Sequence, residues 1–174
     1  MLVIEMNFRL YKQEDANEII SWIKNERELR LWSMDRYKDY PITSDDINRN
    51  YHDCMKDHSF YPFTLEIDGK VVGHLIMRHP NGDHDIIRLG FIIVDNNIRG
   101  RGYGKTLINE AINYAINHFQ PKEINLGVFT INDGAYHCYQ KVGFETIRID
   151  KDVYTFHDEH WDCAEMVYKL KRDK

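Results

Sequence analysis

The sequence predicts an α+β fold in which a mixed β-sheet is flanked by helices. Residues 86–94 form an apolar run of strand length that is rich in β-branched side chains. Residues 107–116 then place apolar side chains on one helical face and polar side chains on the other. Asp68-Gly69, between two further apolar segments, is typical of a β-hairpin turn. Both kinds of secondary structure are therefore expected in one chain.

The N-terminal half of the chain is expected to supply two hairpin strands, a first strand and several helical segments. Acidic residues in 14–18 suit the first turn of a helix, and Thr43-x-x-Asp46 is a typical helix cap. We predict a strand over 6–10, a helix over 14–24, a short helix over 26–32, a loop over 31–40, a helix from the Thr43 cap to about Lys56, and hairpin strands over 60–67 and 70–77.

The C-terminal half is expected to alternate strands with helices. We predict strands over 86–94 and 126–130, a helix after Gly104, a helical segment after Asn132, and final strands over 145–149 and 161–170. A polar loop over 152–160 joins the last two strands in this prediction. It contains His157-x-x-His160 beside acidic residues, which we interpret as a solvated charge run, and we predict no metal site.

Composition limits the class of protein. A chain of 174 residues with 43% hydrophobic residues suits a single domain, 1–174, with a sizeable core. The net charge of -5 argues against nucleic acid as the main partner, and no apolar run approaches the length of a membrane span. Three widely spaced cysteines and no evident signal peptide favour a cytoplasmic protein with reduced thiols.

A glycine-rich turn joins the strand over 86–94 to the helix that follows. Glycines let the backbone approach a ligand closely, and a helix N-terminus with free N–H groups favours an anion such as a phosphate. A Walker A motif would need glycine at position 99, and a dinucleotide fingerprint would need glycine at position 105. The predicted phosphate-binding residues are Arg99, Gly100, Arg101, Gly102, Tyr103, Gly104 and Lys105.

Two motifs in the correct order resemble the GCN5-related N-acetyltransferase (GNAT) superfamily. Arg99, Gly102 and Gly104 match R/Q-x-x-G-x-G/A, which is the pyrophosphate loop of those acetyl-CoA-binding enzymes. The second motif, V-x-x-x-N-x-x-A-x-x-x-Y-x-x-x-G-F, is matched by Val128, Asn132, Ala135, Tyr139, Gly143 and Phe144. Chain length and a Trp-containing start of the helix–loop region also resemble the branch that acetylates ribosomal-protein N-termini and some antibiotics.

The resemblance implies a fold, a cofactor and a catalytic residue. The fold would be a mostly antiparallel sheet of six to seven strands, with a splayed pair of strands that holds acetyl-CoA. Backbone groups of Ile92, Ile93 and Val94 would pair with the pantetheine arm and polarise the thioester oxygen. Asn132 would contact pantetheine and cap the following helix, and Tyr139 would protonate the departing thiolate as general acid.

The general base and the acceptor pocket are less well defined by the sequence. Arg88 stands where histone-acetylating relatives carry a glutamate base, so the base stays open among Glu66, His74, Asp85 and a chain of water molecules. For the acceptor pocket, the resemblance points to the first helices, their loop and the last hairpin. Its predicted residues are Trp32, Tyr37, Tyr40 and Tyr154, with His74 on a neighbouring strand.

These observations together predict an acetyl-CoA-dependent N-acetyltransferase. It would move an acetyl group by direct transfer to a primary amine of a small molecule or a peptide N-terminus. Two alternatives remain open: an acetyl-CoA-binding module without turnover, which the missing glutamate at Arg88 favours, and transfer of another acyl group. Many members of the superfamily dimerise, so a homodimer is also an expectation.

Overall fold

The computed structural model describes residues 3–171, and within this range the chain forms seven strands and five α-helices. The strands are β1 (Met6–Leu10), β2 (Phe60–Ile67), β3 (Lys70–Arg78), β4 (Ile86–Val94), β5 (Glu123–Phe129), β6 (Phe144–Phe156) and β7 (Glu159–Tyr168). The α-helices are α1 (Asp15–Ser21), α2 (Glu26–Ser33), α3 (Ser44–Cys54), α4 (Tyr103–Phe119) and α5 (Asp133–Val142). None of the described helices is both long and apolar enough to span a bilayer.

The seven strands form one sheet in the order β1-β2-β3-β4-β5-β7-β6. Every neighbouring pair is antiparallel except β4 and β5, which are parallel. A parallel pair needs a crossover connection, and α4 supplies it. The predicted mixed, mostly antiparallel sheet flanked by helices is therefore confirmed, with seven strands.

Helices cover both faces of the sheet and create two hydrophobic clusters. On one face, which we call the α4 face, Leu107 and Ile108 of α4 pack with Leu89 and Leu126 of the central strands. On the other, the α1 face, side chains of α1, α2 and α3 pack with Ile76 and Ile93. Because side chains alternate along a strand, Arg88 and Gly127 belong to the α1 face, opposite to their buried neighbours.

Side-chain caps define the starts of two helices. Thr43 forms a capping box with Asp46: its hydroxyl accepts from the Asp46 N–H at 3.3 Å, and the Asp46 carboxylate accepts from the Thr43 N–H at 2.8 Å. The Asn25 side chain accepts from the Glu28 N–H at 2.9 Å and starts α2. The cap predicted at Thr43 is confirmed, and each such cap contributes about 1 kcal/mol to helix stability.

Several predicted boundaries were wrong. Helix α1 ends at Ser21, three residues before the predicted end, because Trp22 and Ile23 turn into the core through tighter i→i+3 hydrogen bonds. Helix α2 extends to Ser33, so the predicted loop begins later. Helix α3 ends at Cys54 and is followed by a 3-10 turn, and β5 begins at Glu123 rather than 126.

The predicted polar loop over 152–160 is instead part of a long hairpin. Strand β6 continues to Phe156 and β7 begins at Glu159, so the turn is only His157-Asp158. Tyr154 lies opposite Trp161 in the register, with ring centroids 5.1 Å apart. Most of the polar side chains in this segment are exposed, so its composition resembles that of a loop.

Candidate active site

A gap between β4 and β5 forms the cleft of the molecule. The two strands pair over 86–89 of β4 and 123–126 of β5 and then separate. Beyond this point β4 still pairs with β3, and β5 with β7. The edge of β4 over 90–94 therefore faces the gap with backbone groups that no described strand pairs with. This stretch contains the three predicted pantetheine contacts, Ile92, Ile93 and Val94.

Strand β4 carries a bulge at the start of its open edge. Ile76 lies opposite Gly90 and His74 lies opposite Ile93, so two residues of β4 occupy the space of one on β3. Within the bulge, Phe91 has φ 46°, a left-handed conformation that is costly for a bulky side chain. Bulges bend a strand and leave backbone groups unpaired, and they often occur beside active sites.

The glycine-rich turn forms an anion-binding helix start. Gly100 and Gly102 have φ of 81° and 83°, which other residues adopt only with strain. The first helical hydrogen bond of α4 runs from the Thr106 N–H to the Gly102 carbonyl at 3.0 Å. The N–H groups of 103–105 therefore have no partner within the helix and point toward the loop. Arg99, Arg101 and Lys105 are exposed around them and add positive charge.

Asp95 anchors the loop between β4 and this turn. Its side chain is buried and accepts from the Asn97 N–H at 2.9 Å and from the Asn97 amide at 3.0 Å. Lys70 lies 3.4 Å from the same carboxylate. Burial would raise the pKa of Asp95, but these donors lower it overall, so the carboxylate stays ionised. The loop is thus held in place before any ligand arrives.

Tyr139 and Asn132 lie on or next to α5, which packs beside the glycine-rich turn. A Cβ built on Gly104 would lie 3.6 Å from the Cys138 Sγ. The Tyr139 ring is 6% exposed, and burial raises the pKa of its hydroxyl, which stays protonated at neutral pH. Asn132 precedes α5, but its side chain makes no cap, so the predicted capping role is wrong and its amide is left for another partner.

Of the predicted acceptor residues, Trp32 packs against the bulge and Tyr37 packs against Trp32. Trp32 on α2 lies 5.5 Å from the Phe91 ring and stacks on Tyr37 at 6.0 Å, measured between ring centroids. Arg30 holds the following loop, because its guanidinium donates to the carbonyl oxygens of Tyr37 at 2.6 Å and Lys38 at 3.1 Å. These contacts form an aromatic wall on the α1 face of the cleft.

The β6–β7 hairpin closes the opposite rim of the cleft. The Tyr154 hydroxyl donates to Asp35 at 2.8 Å, and burial followed by this carboxylate raises the pKa of Tyr154 to about 12. Arg27 of α2 donates to both carboxylate oxygens of Glu159 at 2.8 Å and lies 5.5 Å from the Trp161 ring. The predicted contact Tyr154 is therefore on the rim, tied to the loop after α2.

The structure buries His74 and leaves Tyr40 partly exposed. His74 is fully buried on the α1 face, where its Nε2 lies 2.7 Å from the Tyr51 hydroxyl. Burial lowers its pKa to about 3, so it is neutral at physiological pH. Tyr40 is 38% exposed on the loop after α2. His74 is a core residue in this position, which corrects the expectation that it points toward the acceptor.

The remaining candidates for the base are engaged elsewhere. Glu66 accepts from the Arg9 Nε at 2.9 Å at the β1 side of the sheet. Asp85 lies before β4 and pairs with Lys122 at 2.6 Å, at the end of the sheet opposite to the glycine-rich turn. Neither carboxylate lines the gap between β4 and β5, so a water molecule is the remaining candidate of those considered.

Three arginines on the α1 face are not among the residues predicted for the site. Arg88 donates to Glu165 at 2.8 Å and 3.1 Å and to Asn125 at 3.0 Å, below the point where the strands separate. Arg78 lies opposite Arg88 in the β3–β4 register. Arg36, on the loop after α2, lies 4.9 Å from the centre of the Phe91 ring. Strand alternation could have placed Arg78 and Arg88 on one face, but the position of Arg36 depends on the fold.

The splayed sheet with its glycine-rich helix start defines the class of protein. A family model described as acetyltransferase (GNAT) family matches residues 18–144, and the chain belongs to this family. The finer resemblance to the ribosomal-protein branch of the superfamily stays a prediction.

The names of similar proteins describe different acetyl acceptors. An N-acetylaspartate synthetase from Xenopus tropicalis is 30% identical over 105 residues, which cover 60% of this chain and 36% of that protein. The chain thus spans well under two thirds of that relative. A spermidine N(1)-acetyltransferase from Vibrio cholerae is 24% identical over 80% of this chain and 79% of its own length.

A solved structure supports the fold. The crystal structure of spermidine N-acetyltransferase from Vibrio cholerae in complex with CoA and spermine has a TM-score of 0.78 to this chain. The likeness covers 93% of this chain and 94% of that one at 21% identity. At this level of identity the match establishes the shared architecture.

Proposed function

We propose that this protein is an acetyl-CoA-dependent N-acetyltransferase that moves the acetyl group directly to a primary amine. The observation that carries the proposal is the continuity of the open β4 edge with the start of α4. Residues 90–94 offer unpaired backbone groups, and residues 103–105 offer free helix N–H groups a few residues further on. An elongated ligand with amides along its length and a pyrophosphate at its end fits this sequence of donors.

The cofactor would be held mainly by backbone groups. The N–H groups of 103–105 would bind the pyrophosphate, with Arg99, Arg101 and Lys105 supplying mobile charge. The amides of pantetheine would pair with the open edge of Ile92, Ile93 and Val94 as an additional strand does. The side-chain amide of Asn132, which makes no helix cap, would contact the same arm.

The reaction needs a group that stabilises the oxyanion and a donor for the leaving thiolate. The neutral amine attacks the thioester carbonyl, the new C–N bond forms, and the C–S bond breaks. A backbone N–H at the Phe91 bulge would stabilise the oxyanion. The Tyr139 hydroxyl, protonated because burial raises its pKa, would donate to the sulfur as general acid.

Direct transfer also agrees with the state of the cysteines. Burial raises the pKa of Cys138 and of Cys163, so both are thiols and poor nucleophiles at neutral pH. His74 is buried, and the carboxylates of Glu66 and Asp85 are ion-paired away from the gap. The proton of the acceptor ammonium would therefore leave to water in the cleft.

A test of the function is thiol release from acetyl-CoA with a panel of amines. The panel contains polyamines, amino acids, N-terminal peptides and aminoglycosides, and propionyl-CoA and succinyl-CoA replace acetyl-CoA in parallel reactions. Acceptor-dependent release supports the proposal and identifies the acyl group. Tight CoA binding with no release from any combination would instead support a binding module without turnover.

Three further proposals about the whole protein come from the sequence. They are a single domain over 1–174, a cytoplasmic location and a homodimer. Light scattering of the purified protein measures the mass in solution, and a mass of one chain would contradict the homodimer.

A further inference from the structure

Three guanidinium groups gather on the α1 face where β4 bends. Arg36 lies over the ring of Phe91, the bulge residue, at 4.9 Å. Arg78 and Arg88 are register partners on β3 and β4, so their side chains leave the same face of the sheet. Burial, together with the charges of Arg88 and Arg36, lowers the pKa of Arg78. The three side chains therefore form one cluster beside the cleft, which we call the arginine cluster.

Within residues 3–171, one carboxylate forms an ion pair with this cluster, and Asp57 lines the same surface pocket as Arg78 without pairing with it. Glu165 is bound by Arg88 at 2.8 Å. The polar contact of Arg36 is the Cys54 Sγ at 3.4 Å, which is a weak acceptor. Arg78 is half-buried, and its guanidinium makes no hydrogen bond or ion pair with any residue in the range 3–171. A half-buried cation beside other cations is unfavourable unless an anion joins it.

Three acidic residues near the loop after α2 and the β6–β7 hairpin bind side chains other than those of the arginine cluster. Asp35 accepts from the Tyr154 hydroxyl, and Glu159 is engaged by both nitrogens of Arg27. Glu26 pairs with Arg30 at 2.8 Å. Each of these three carboxylates is thus bound by a side chain of the protein.

We propose that the acceptor is a primary amine that also carries a carboxylate, with Arg36 and Arg78 binding the carboxylate while the amine meets the thioester at the Phe91 bulge. The proposal refines the acetyltransferase function and rests on it. A guanidinium is planar and presents paired N–H donors that match the two oxygens of a carboxylate. Arg88, already bound to Glu165, holds the base of the cluster in place.

Matched pairs of acceptors test the proposal, because each amine is its amino acid without the carboxylate. Lysine is compared with cadaverine, and ornithine with putrescine, by thiol release from acetyl-CoA at neutral pH. We expect kcat/KM to be roughly ten- to a hundredfold higher for the amino acid, the range for charge-assisted hydrogen bonds. Equal or faster turnover of cadaverine and putrescine would overturn the proposal and leave the acetyltransferase function intact.

Two variants and a matched control locate the effect. Arg36→Gln and Arg78→Gln are expected to raise KM for the amino acids roughly tenfold or more while kcat and KM for the plain amines change little. The control is Arg49→Gln on α3, an exposed arginine whose partner is Asp46 at 3.1 Å. Equal losses for both members of a pair in the cluster variants would contradict binding of the carboxylate.

A binding measurement separates this proposal from the function. If no acceptor releases thiol, the acetyltransferase function fails, and calorimetry of lysine and cadaverine binding to the CoA-saturated protein decides the present proposal. Lysine binding that is lost in Arg36→Gln and kept in Arg49→Gln supports it. Binding of neither ligand, or equal binding of both, overturns it.

Discussion

The guanidinium of Arg88 lies directly over the α-carbon of Gly127. A Cβ built on Gly127 would lie 2.7 Å from the Arg88 Nη2, closer than such atoms approach in proteins. Arg88 reaches from β4 across β5 to Glu165 on β7. The ion pair therefore connects the strands on one side of the gap to the strands on the other side, close to the point where β4 and β5 separate. The absence of a side chain at Gly127 makes this bridge sterically feasible.

Gly127→Ala should therefore destabilise the protein. The new methyl group would displace Arg88 and would also lie 3.2 Å from the Cys163 Sγ and the Glu165 carboxylate, and overpacking of this kind costs about 1–3 kcal/mol. Denaturant unfolding measures the loss. The control is Gly134→Ala on α5, where nothing lies within 4 Å and alanine should raise stability by its helix propensity. Equal effects of both changes would contradict the steric argument.

Gly102→Ala should weaken CoA binding. Gly102 has φ 83°, which costs alanine about 1 kcal/mol and shifts the N–H groups at the start of α4. Gly82, with φ 70° in a turn that lies outside the cleft, is a matched control with the same backbone demand. Calorimetry should show about a tenfold loss of CoA affinity, or about 1.4 kcal/mol, for Gly102→Ala alone. An unchanged affinity would contradict the role of this turn.

Tyr139→Phe should lower turnover without weakening the cofactor complex. Removing the donor to the leaving thiolate should reduce kcat by roughly a hundredfold, as for other general acids. The hydroxyl has no hydrogen-bonding partner among the described residues, so folding should be unaffected. Tyr136→Phe on the same helix loses a 2.8 Å hydrogen bond to Thr146 and should keep its kcat. A parallel loss of CoA affinity and kcat in Tyr139→Phe would exclude the acid role.

Asp15 should make stability depend on pH. Its side chain is 1% exposed and accepts from Arg9, Lys12 and Thr64, and these donors overcome burial and lower its pKa. A lowered pKa contributes stability above the unfolded value of about 4, and that contribution is lost as the pH falls through the folded value.

The Asp15→Asn variant tests this dependence. The change removes one of the two carboxylates that pair with Arg9. It should lower the free energy of unfolding by about 3–5 kcal/mol at neutral pH. Urea unfolding should show the difference from the unmodified protein shrinking as the pH falls from about 4 through the lower pKa of folded Asp15, below which both proteins lack the carboxylate charge. Asp53→Asn, in an exposed pair with Lys56, should change stability little at either pH. A difference that does not change with pH would show that shape, rather than charge, matters at Asp15.

The sequence was informative where local chemistry determines the structure. Periodicity and the turn at Asp68-Gly69 predicted the hairpin, the central strand and α4, and the resemblance predicted a sheet of six to seven strands and its splay. Thr43 and Asp46 formed the expected cap. The hairpin turn, the helical periodicity and the cap depend on residues a few positions apart, for which spacing is a sufficient guide.

The remaining features depend on contacts between distant segments. Tyr154 binds Asp35, which is 119 positions away in the sequence, so local spacing could not predict the contact. The polar residues around Tyr154 resemble a loop in composition, and the continuation of β6 was therefore not predicted. His74 alternates correctly along β3, but only the packing of α3 shows that Tyr51 covers it. The left-handed Phe91 gives no local signal either, because its neighbours favour an ordinary strand.

The gap has a consequence for the mechanics of the whole sheet. The sheet consists of two antiparallel halves, one of β1, β2, β3 and β4 and the other of β5, β7 and β6. The halves are joined by four residue pairs between β4 and β5. A ligand lying along residues 90–94 would act as a removable eighth strand that couples these halves. Saturation at a hundred times Kd adds about 2.7 kcal/mol to the free energy of unfolding. The resistance of this protein to unfolding would then rise and fall with the supply of that ligand.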